Sequence, residues 1–172
     1  GVMGIALGAL TFRFFSEALI RVILGAMAIT FVAHRLRLGG TSAPAVEPSR
    51  AKGLFWSTVS GLTSTIAHAG GPPLSVYLLP QKLDKAILVG TTVVFFAVIN
   101  VVKLVPYLWL GLFDSRNLMT SLVLAPLAPF GIWLGVWLMR RLSQEVFYRI
   151  AYTMLVIVGA KLLWDGARGL AA

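Results

Sequence analysis

Hydroxyl side chains and a histidine occupy an otherwise apolar stretch that ends in a helix-breaking sequence. Ser60, Ser64, Thr65 and His68 recur at about one-turn spacing, so in a helix they lie near one face. Their donors could converge on one ligand, or the hydroxyls could bond backbone carbonyls and neighbouring helices. An ionisable side chain inside an apolar segment is costly and usually faces a cavity. His68 is therefore predicted to be functional.

The break itself has the sequence Gly-Gly-Pro-Pro, from Gly70 to Pro73. Glycine lets the backbone turn and leaves its N–H uncovered, and proline suits the first turn of a following helix. A helix N-terminus that points inward attracts an anion. The break is therefore predicted to bind an anion through Gly70, Gly71 and Pro72, and the alternative is a kinked helix that only packs.

A second polar group lies within the long apolar run that begins at Ala86. Lys103 follows Asn100 by three residues, and Thr91 and Thr92 come two to three turns earlier. A cation beside an amide and hydroxyls fits an anion. The competing interpretation is that Lys103 extends along the apolar surface to reach the membrane interface.

The composition is that of an integral membrane protein. Of 172 residues, 58% are hydrophobic and 12% are charged, and the mean hydropathy is +0.87. The net charge of +9 comes from basic clusters between apolar runs, which is typical of cytoplasmic loops and does not indicate a nucleic-acid partner. The absence of cysteine and the scattered histidines and carboxylates indicate no metal site and no cofactor.

The elements that position these residues are apolar runs separated by short polar turns. Val2 to Leu10 is too short to cross a bilayer, which needs about 20 helical residues, so further membrane segments are expected before it. The predicted elements are a span at Ala18–Ala33, a polar loop at His34–Gly53, a broken segment at Leu54–Pro80 with its helix ending at His68, and spans at Ala86–Leu110, Leu118–Met139 and Val146–Leu163. In the span at Leu118–Met139, Pro126 and Pro129 are expected to introduce a kink.

An internal repeat is also visible. Gly4 and Gly8, followed by a cluster of charged and hydroxyl residues, resemble Gly131 and Gly135, and both pairs have the small-xxx-small spacing of closely packed helices. The predicted units are the end of a first membrane repeat at 1–34, a polar loop at 35–53 and a second repeat at 54–172. If residues 54–80 turn back instead of crossing, nine basic residues fall on one side against five. The positive-inside rule favours that re-entrant path, which would make the repeats inverted.

Taken together, the chain resembles the second half, with the end of the first repeat, of the TauE/SafE sulfite exporters, also called the toluenesulfonate uptake permease family. The resemblance is carried by the break at Gly70 to Pro73, Gly90 to Thr92, Asn100, Lys103 and the Gly131 and Gly135 pair. It implies an all-α polytopic fold of two repeats of about four membrane segments each, and transport of small sulfur-containing anions. Many members have a third glycine where this chain has Pro72, and only some have a histidine at position 68.

We therefore expect a secondary transporter, and not an enzyme, for a small anion such as sulfite, sulfoacetate or another organosulfonate. Its expected location is the plasma (inner) membrane of a bacterium, as a multi-pass protein in the lipid bilayer; a coupling proton or ion and a homo-oligomer are left open. The predicted substrate-binding residues are Ser64, Thr65, His68, Gly70, Gly71, Pro72, Thr91, Thr92, Asn100 and Lys103. One alternative is a non-transporting structural membrane subunit. A remote one is an intramembrane hydrolase using Ser64 or Ser75 with His68, without the Gly-x-Ser-x-Gly elbow.

Overall fold

The computed structural model describes residues 1–11, 16–109 and 115–171, and the regular elements in these ranges are all helices. This confirms the all-α class. The helices are α1 (Val2–Thr11), α2 (Glu17–Arg37), α3 (Arg50–Ala67), α4 (Gly71–Leu78), α5 (Lys85–Trp109), α6 (Ser115–Leu124), α7 (Leu127–Arg141) and α8 (Gln144–Ala171), with short 3-10 turns at Gly40–Ser42 and Leu79–Gln81.

Three helices among the described residues are long and apolar enough to cross a membrane, namely α2, α5 and α8. Much of their apolar surface faces outward; on α5, for example, Val94 and Val101 are each about two thirds exposed. A soluble protein would bury such surface, whereas lipid chains solvate it at no cost. The composition and the helices thus agree on a membrane protein.

The most extensive contact between two described helices joins α2 and α8. Gly25 lies against Gly159, and Gly166 lies against Ala18 and Val22, so the two helices run antiparallel. A Cβ atom on Gly25 would approach the Gly159 carbonyl oxygen to 2.6 Å. Glycine at this position therefore allows the helices their close approach. The main core lies where α2 and α8 meet α4 and α5.

The helices α3 and α4 form a hairpin, because α4 turns back along the side of α3. The Val46 N–H donates to the Pro80 carbonyl at 2.9 Å, and the Tyr77 hydroxyl donates to the Ser49 carbonyl at 3.2 Å. The residues before α3 and after α4 therefore lie side by side at one end of the fold. We call this end the open end of the hairpin and the opposite end, around His68, its tip.

The loop between α2 and α3 is shorter than the predicted His34–Gly53. Helix α2 continues to Arg37, and α3 already begins at Arg50. The basic side chains His34, Arg35 and Arg37 lie in the last turn of α2, where positive charge is favourable beside the unpaired carbonyls. Polarity alone therefore placed the end of α2 too early.

The predicted span Leu118–Met139 is divided in the structure. Helix α6 ends at Leu124 and α7 begins at Leu127, with a turn at Ala125 and Pro126 between them. Proline has no N–H for the helical bond and disfavours helical geometry in the preceding residue. Pro126 thus interrupts the helix, while Pro129 lies within α7. Arg13, Asp114 and the Arg116 side chain, which are among the charged groups in the polar turns of the sequence, lie outside the described residues.

The two small-xxx-small pairs have different surroundings. On α1, a Cβ at Gly4 would lie 1.9 Å from the Thr58 carbonyl oxygen, and one at Gly8 would lie 3.0 Å from the Thr65 Cβ. The two helices α1 and α3 therefore pack closely through glycine. On α7, a Cβ at Gly131 or Gly135 meets no described atom within 4 Å.

Candidate functional site

The hairpin tip is a short stretch of non-helical backbone. Helix α3 ends at Ala67, and His68 has a left-handed conformation with φ of 51°. Such a φ is uncommon outside glycine. The N–H of Ala69 donates to the Thr63 carbonyl at 3.2 Å, so the chain turns back immediately beside the last turn of α3.

Hydroxyl groups of α3 hold the descending chain in place. Ser60 Oγ donates to the Gly70 carbonyl at 2.7 Å, and Thr63 Oγ1 lies 3.2 Å from the Ala69 carbonyl oxygen. Thr65 Oγ1 donates to the Gly61 carbonyl within its own helix at 2.9 Å. Ser60 and Thr65 therefore follow the packing alternative, and their hydroxyl protons are already used. Thr63, which the sequence argument did not select, belongs to this framework.

The two glycines of the break differ in their surroundings. A Cβ on Gly70 would lie 2.7 Å from the Ser60 carbonyl oxygen and 2.9 Å from the Ser64 Cβ, whereas one on Gly71 meets no described atom within 4 Å. Helix α4 begins at Gly71, and Pro72 and Pro73 have no N–H to offer. Among the hydrogen bonds of the described chain, none uses the N–H of Gly70 or Gly71 as donor.

Lys103 is directed toward α3 and does not extend to the interface. Its side chain is 5% exposed, and Nζ donates to both the carbonyl oxygen and Oγ of Ser64 at 3.1 Å. A cation near the last turn of a helix interacts favourably with its unpaired carbonyls. Lys103 therefore fixes α5 to α3 directly below the tip.

Tyr107 links Lys103 to His68. Its hydroxyl lies 3.4 Å from Nε2 of His68 and 3.4 Å from the Thr65 carbonyl oxygen. The Lys103 amine is 5.7 Å from the centre of the Tyr107 ring, within cation–π range. The sequence argument missed Tyr107, although its spacing of four residues from Lys103 puts both on one face of α5.

A cavity of about 360 Å³ opens beside the tip, between the break and the helices α2 and α8. We call it the tip cavity. Its lining residues are Arg21, Ala67, His68, Ala69, Gly71, Pro72, Val158, Lys161, Leu162 and Asp165. Arg21 pairs with Glu17 and Lys161 pairs with Asp165, both at 2.5 Å. The cavity thus combines His68 and the start of α4 with two cations that have single carboxylate partners.

Arg21 and Lys161 are not among the residues that the sequence argument selected for the site. They reach the tip cavity because α2 and α8 are antiparallel neighbours, which brings residues 140 positions apart in the chain together. In the sequence, each of these two cations is four residues from a carboxylate, a spacing that is typical of ion pairs on exposed helix surfaces. That pattern does not indicate a cavity.

The remaining predicted residues on α5 divide between two faces. Thr92 lines a second, small cavity of about 60 Å³ together with Gly71 and Ser75, and its hydroxyl donates to the Leu88 carbonyl at 2.8 Å. Thr91 and Asn100 are exposed on the outer face of α5. The structure therefore brings Thr92 toward the break but not Thr91 or Asn100.

The arrangement offers an anion positive charge and backbone donors. The hydrolase alternative would require Ser64 or Ser75 beside His68, and the described partner of the Ser64 hydroxyl is Lys103. No cluster of three potential metal ligands occurs among the residues that the structure describes.

The long apolar helices are those of an integral membrane protein, and the tip cavity is its candidate anion site. The sequence matches the family model described as Sulfite exporter TauE/SafE over residues 1–162. The chain belongs to this family, and the class of function is transport of sulfite or related sulfur anions. No curated protein and no solved structure gave a significant match.

Proposed function

We propose that the chain works as a secondary transporter that moves a small sulfur-containing anion, such as sulfite, sulfoacetate or another organosulfonate, across the plasma membrane of a bacterium. The observation that carries the proposal is the tip cavity, where the free start of α4 faces His68, Arg21 and Lys161. Backbone N–H groups at a helix start and nearby cations are the usual partners of an oxyanion.

The site residues have different roles in this proposal. Gly71 and Gly70 offer their N–H groups to the anion, His68 adds a ring N–H donor, and the two cations of the tip cavity add positive charge. Ser60 and Thr63 bind the backbone carbonyls at the start of the break and so fix its position against α3. Lys103 binds Ser64 in the last turns of α3 and so supports the tip. It also places a buried positive charge near the proposed anion site. Thr92 borders the small cavity on the other side of Gly71.

The hairpin of α3 and α4 is proposed to enter the membrane and return to the same side. Its support is the bond between the Val46 N–H and the Pro80 carbonyl, which places both flanking connections together. The basic residues of these connections and of α7 then share one side, as the positive-inside rule favours. Non-helical backbone at the tip is tolerated in a membrane where it borders a cavity.

Transport would follow from rocking of two repeats around such broken helices, which is the mechanism of transporters built from inverted repeats. The repeat relation and its inversion are part of this proposal. A coupling proton is a further part, because an imidazole titrates near neutral pH and His68 lines the cavity. If a His68→Gln variant retains the full proton dependence of flux, coupling through this residue is excluded.

The test is flux through proteoliposomes that contain the protein in its full natural length. Sulfite, sulfoacetate, taurine and sulfate are offered with and without a proton gradient, to the wild type and to His68→Ala and Lys103→Ala. We expect saturable flux of at least one sulfur oxyanion, reduced in the variants while their folding is unchanged. Absence of flux for every anion, with protein shown to be folded, would favour the structural-subunit alternative.

A further inference from the structure

Arg35 is a buried cation at the open end of the hairpin, far from the tip cavity. It lies in the last turn of α2 and is only 5% exposed. One guanidinium nitrogen, Nη2, donates to the Pro44 carbonyl at 2.9 Å, whereas Nε is buried and has no partner in the described part of the chain. A buried guanidinium that lacks a counter-charge is expensive.

The described carboxylates do not neutralise Arg35. The ion pairs among described residues join Arg21 to Glu17, Arg149 to Glu145 and Lys161 to Asp165. Glu47 lines a neighbouring cavity of about 340 Å³ that Arg35 also borders, yet it forms no described ion pair with Arg35. No described carboxylate therefore forms an ion pair with Arg35, so an anion from outside the chain could supply the counter-charge.

The surroundings of Arg35 form a cavity that could receive that charge. It measures about 450 Å³ and lies between the C-terminal part of α2, the turn at Gly39–Thr41 and the first half of α8. Arg149 and Thr41 line it together with Arg35, and Gly39 and Gly40 have positive φ angles. The Arg149 side chain is 68% exposed and pairs with Glu145 only at the surface, so it can turn toward an anion at small cost.

The remaining side chains that line this cavity are mainly apolar, although Tyr152 and Thr153 each add a hydroxyl group. Val32, Leu36 and Val156 contribute its walls, and they belong to the candidate membrane helices α2 and α8. A cavity that combines two guanidinium groups with apolar side chains suits a phosphate group that is attached to hydrocarbon chains, as in a phospholipid. Basic pockets between membrane helices are known to hold phospholipid head groups.

We infer that Arg35, Thr41 and Arg149 form a second anion site, which binds the phosphate group of an anionic phospholipid or free phosphate. Arginine matches phosphate oxygens with two parallel N–H groups. The site is separate from the tip cavity, so the inference does not depend on the transported substrate.

The test measures the thermal unfolding of the detergent-purified protein. Short-chain phosphatidylglycerol is added in one arm, inorganic phosphate in a second and short-chain phosphatidylcholine in a third. We expect a saturable rise in Tm with phosphatidylglycerol that exceeds the rise with phosphatidylcholine. Equal stabilisation by inorganic phosphate would identify free phosphate as the ligand. No specific rise in either the phosphatidylglycerol or the phosphate arm would overturn the inference.

The variants separate binding from folding. Arg149→Gln leaves buried packing intact and is expected to weaken the apparent affinity about tenfold, since a charge-assisted hydrogen bond is lost. Arg35→Gln is expected to abolish the specific rise if the variant folds; if it does not, Thr41→Val and Arg149→Gln decide the question. Arg168→Gln is the matched control, because Arg168 lies at the opposite end of α8 against Trp164. Unchanged affinity in both Arg149→Gln and Thr41→Val would contradict the assignment.

Discussion

Gly70 and Gly71 are adjacent glycines with opposite structural requirements. Gly70 packs against the backbone and side chains of Ser60 and Ser64, whereas Gly71 faces open space that belongs to both cavities beside the break. One glycine is therefore needed for packing, and the other leaves room for a ligand. This difference makes the pair a direct test of the site.

We expect Gly70→Ala to destabilise the protein and Gly71→Ala to impair transport without unfolding it. The added methyl at position 70 would overlap the Ser60 carbonyl oxygen, and overpacking of this kind costs about 1–3 kcal/mol. The methyl at position 71 would instead occupy the cavity and raise KM for the anion. The measurements are thermal unfolding and flux for each variant; a Gly71→Ala variant with unchanged flux would place the substrate elsewhere.

Lys103 allows a second prediction at the residue scale. Lys103→Met keeps the length and apolar stem but leaves the Ser64 carbonyl and hydroxyl without their cationic donor. We expect the free energy of unfolding to fall by about 1.5–3 kcal/mol, the usual contribution of a hydrogen bond to a charged group, and flux to fall because the tip loses its support from α5. Lys52→Met, at the exposed start of α3, is the control and should retain flux. Equal flux in both variants would limit Lys103 to a packing role.

At this scale the sequence selected residues by their chemistry, but it did not predict what they contact. His68 and Lys103 stood out because ionisable side chains are rare in apolar segments. Their meeting through Tyr107 and Ser64 joins residues 39 apart in the chain, and no local spacing encodes such a contact. Thr91 and Asn100 were selected by proximity along the chain, but they lie on the outer face of α5.

Among the elements, helix contacts depend on where small residues fall. On α1, the carbonyl of Thr58 occupies the space that a side chain at Gly4 would need, whereas Gly131 on α7 has open surroundings. The two glycines hold corresponding places in the predicted repeat. Their different environments make them a matched pair.

We expect Gly4→Ala to lower the free energy of unfolding and Gly131→Ala to leave it nearly unchanged. The first substitution forces α1 away from α3, which by overpacking costs about 1–3 kcal/mol, whereas the second adds a methyl to an open helix surface. Thermal unfolding of both variants under the same conditions provides the measurement. Comparable destabilisation by the two would show that α7 is packed as tightly as α1.

The positions of the long helices were predictable, and their arrangement was not. Apolar runs located α2, α5 and α8 to within a few residues at most ends, since the bilayer requires long apolar helices. The end of α8 lies eight residues later than predicted, at Ala171 instead of Leu163, because charged residues such as Asp165 continue the helix. The antiparallel contact of α2 with α8 depends on tertiary packing, which periodicity does not specify. The division at Pro126 follows from the proline itself, for which the sequence predicted only a kink.

For the whole molecule, the sidedness of the hairpin decides the transport proposal. Val46 and Pro80 are joined by a backbone hydrogen bond, and the Gln144 side chain donates to the Leu83 carbonyl at 2.7 Å. The connections before α3, after α4 and before α8 therefore meet at the open end. Helix α8, with 28 residues, extends about 42 Å from there, which is long enough to reach the opposite side of a bilayer.

The 172 residues contain no cysteine, so single cysteines introduced among them can report sidedness once any cysteine elsewhere in the full-length protein is replaced. We expect Ala45→Cys and Asp84→Cys to react with a membrane-impermeant maleimide from one side, and Leu170→Cys to react from the other. All three residues are exposed, and retained flux serves as the folding control for each variant. Labelling of Asp84→Cys together with Leu170→Cys would mean that residues 54–80 cross the membrane. The hairpin of α3 and α4 would then not be re-entrant. The basic residues before α3 and after α4 would lie on opposite sides of the membrane, against the proposal.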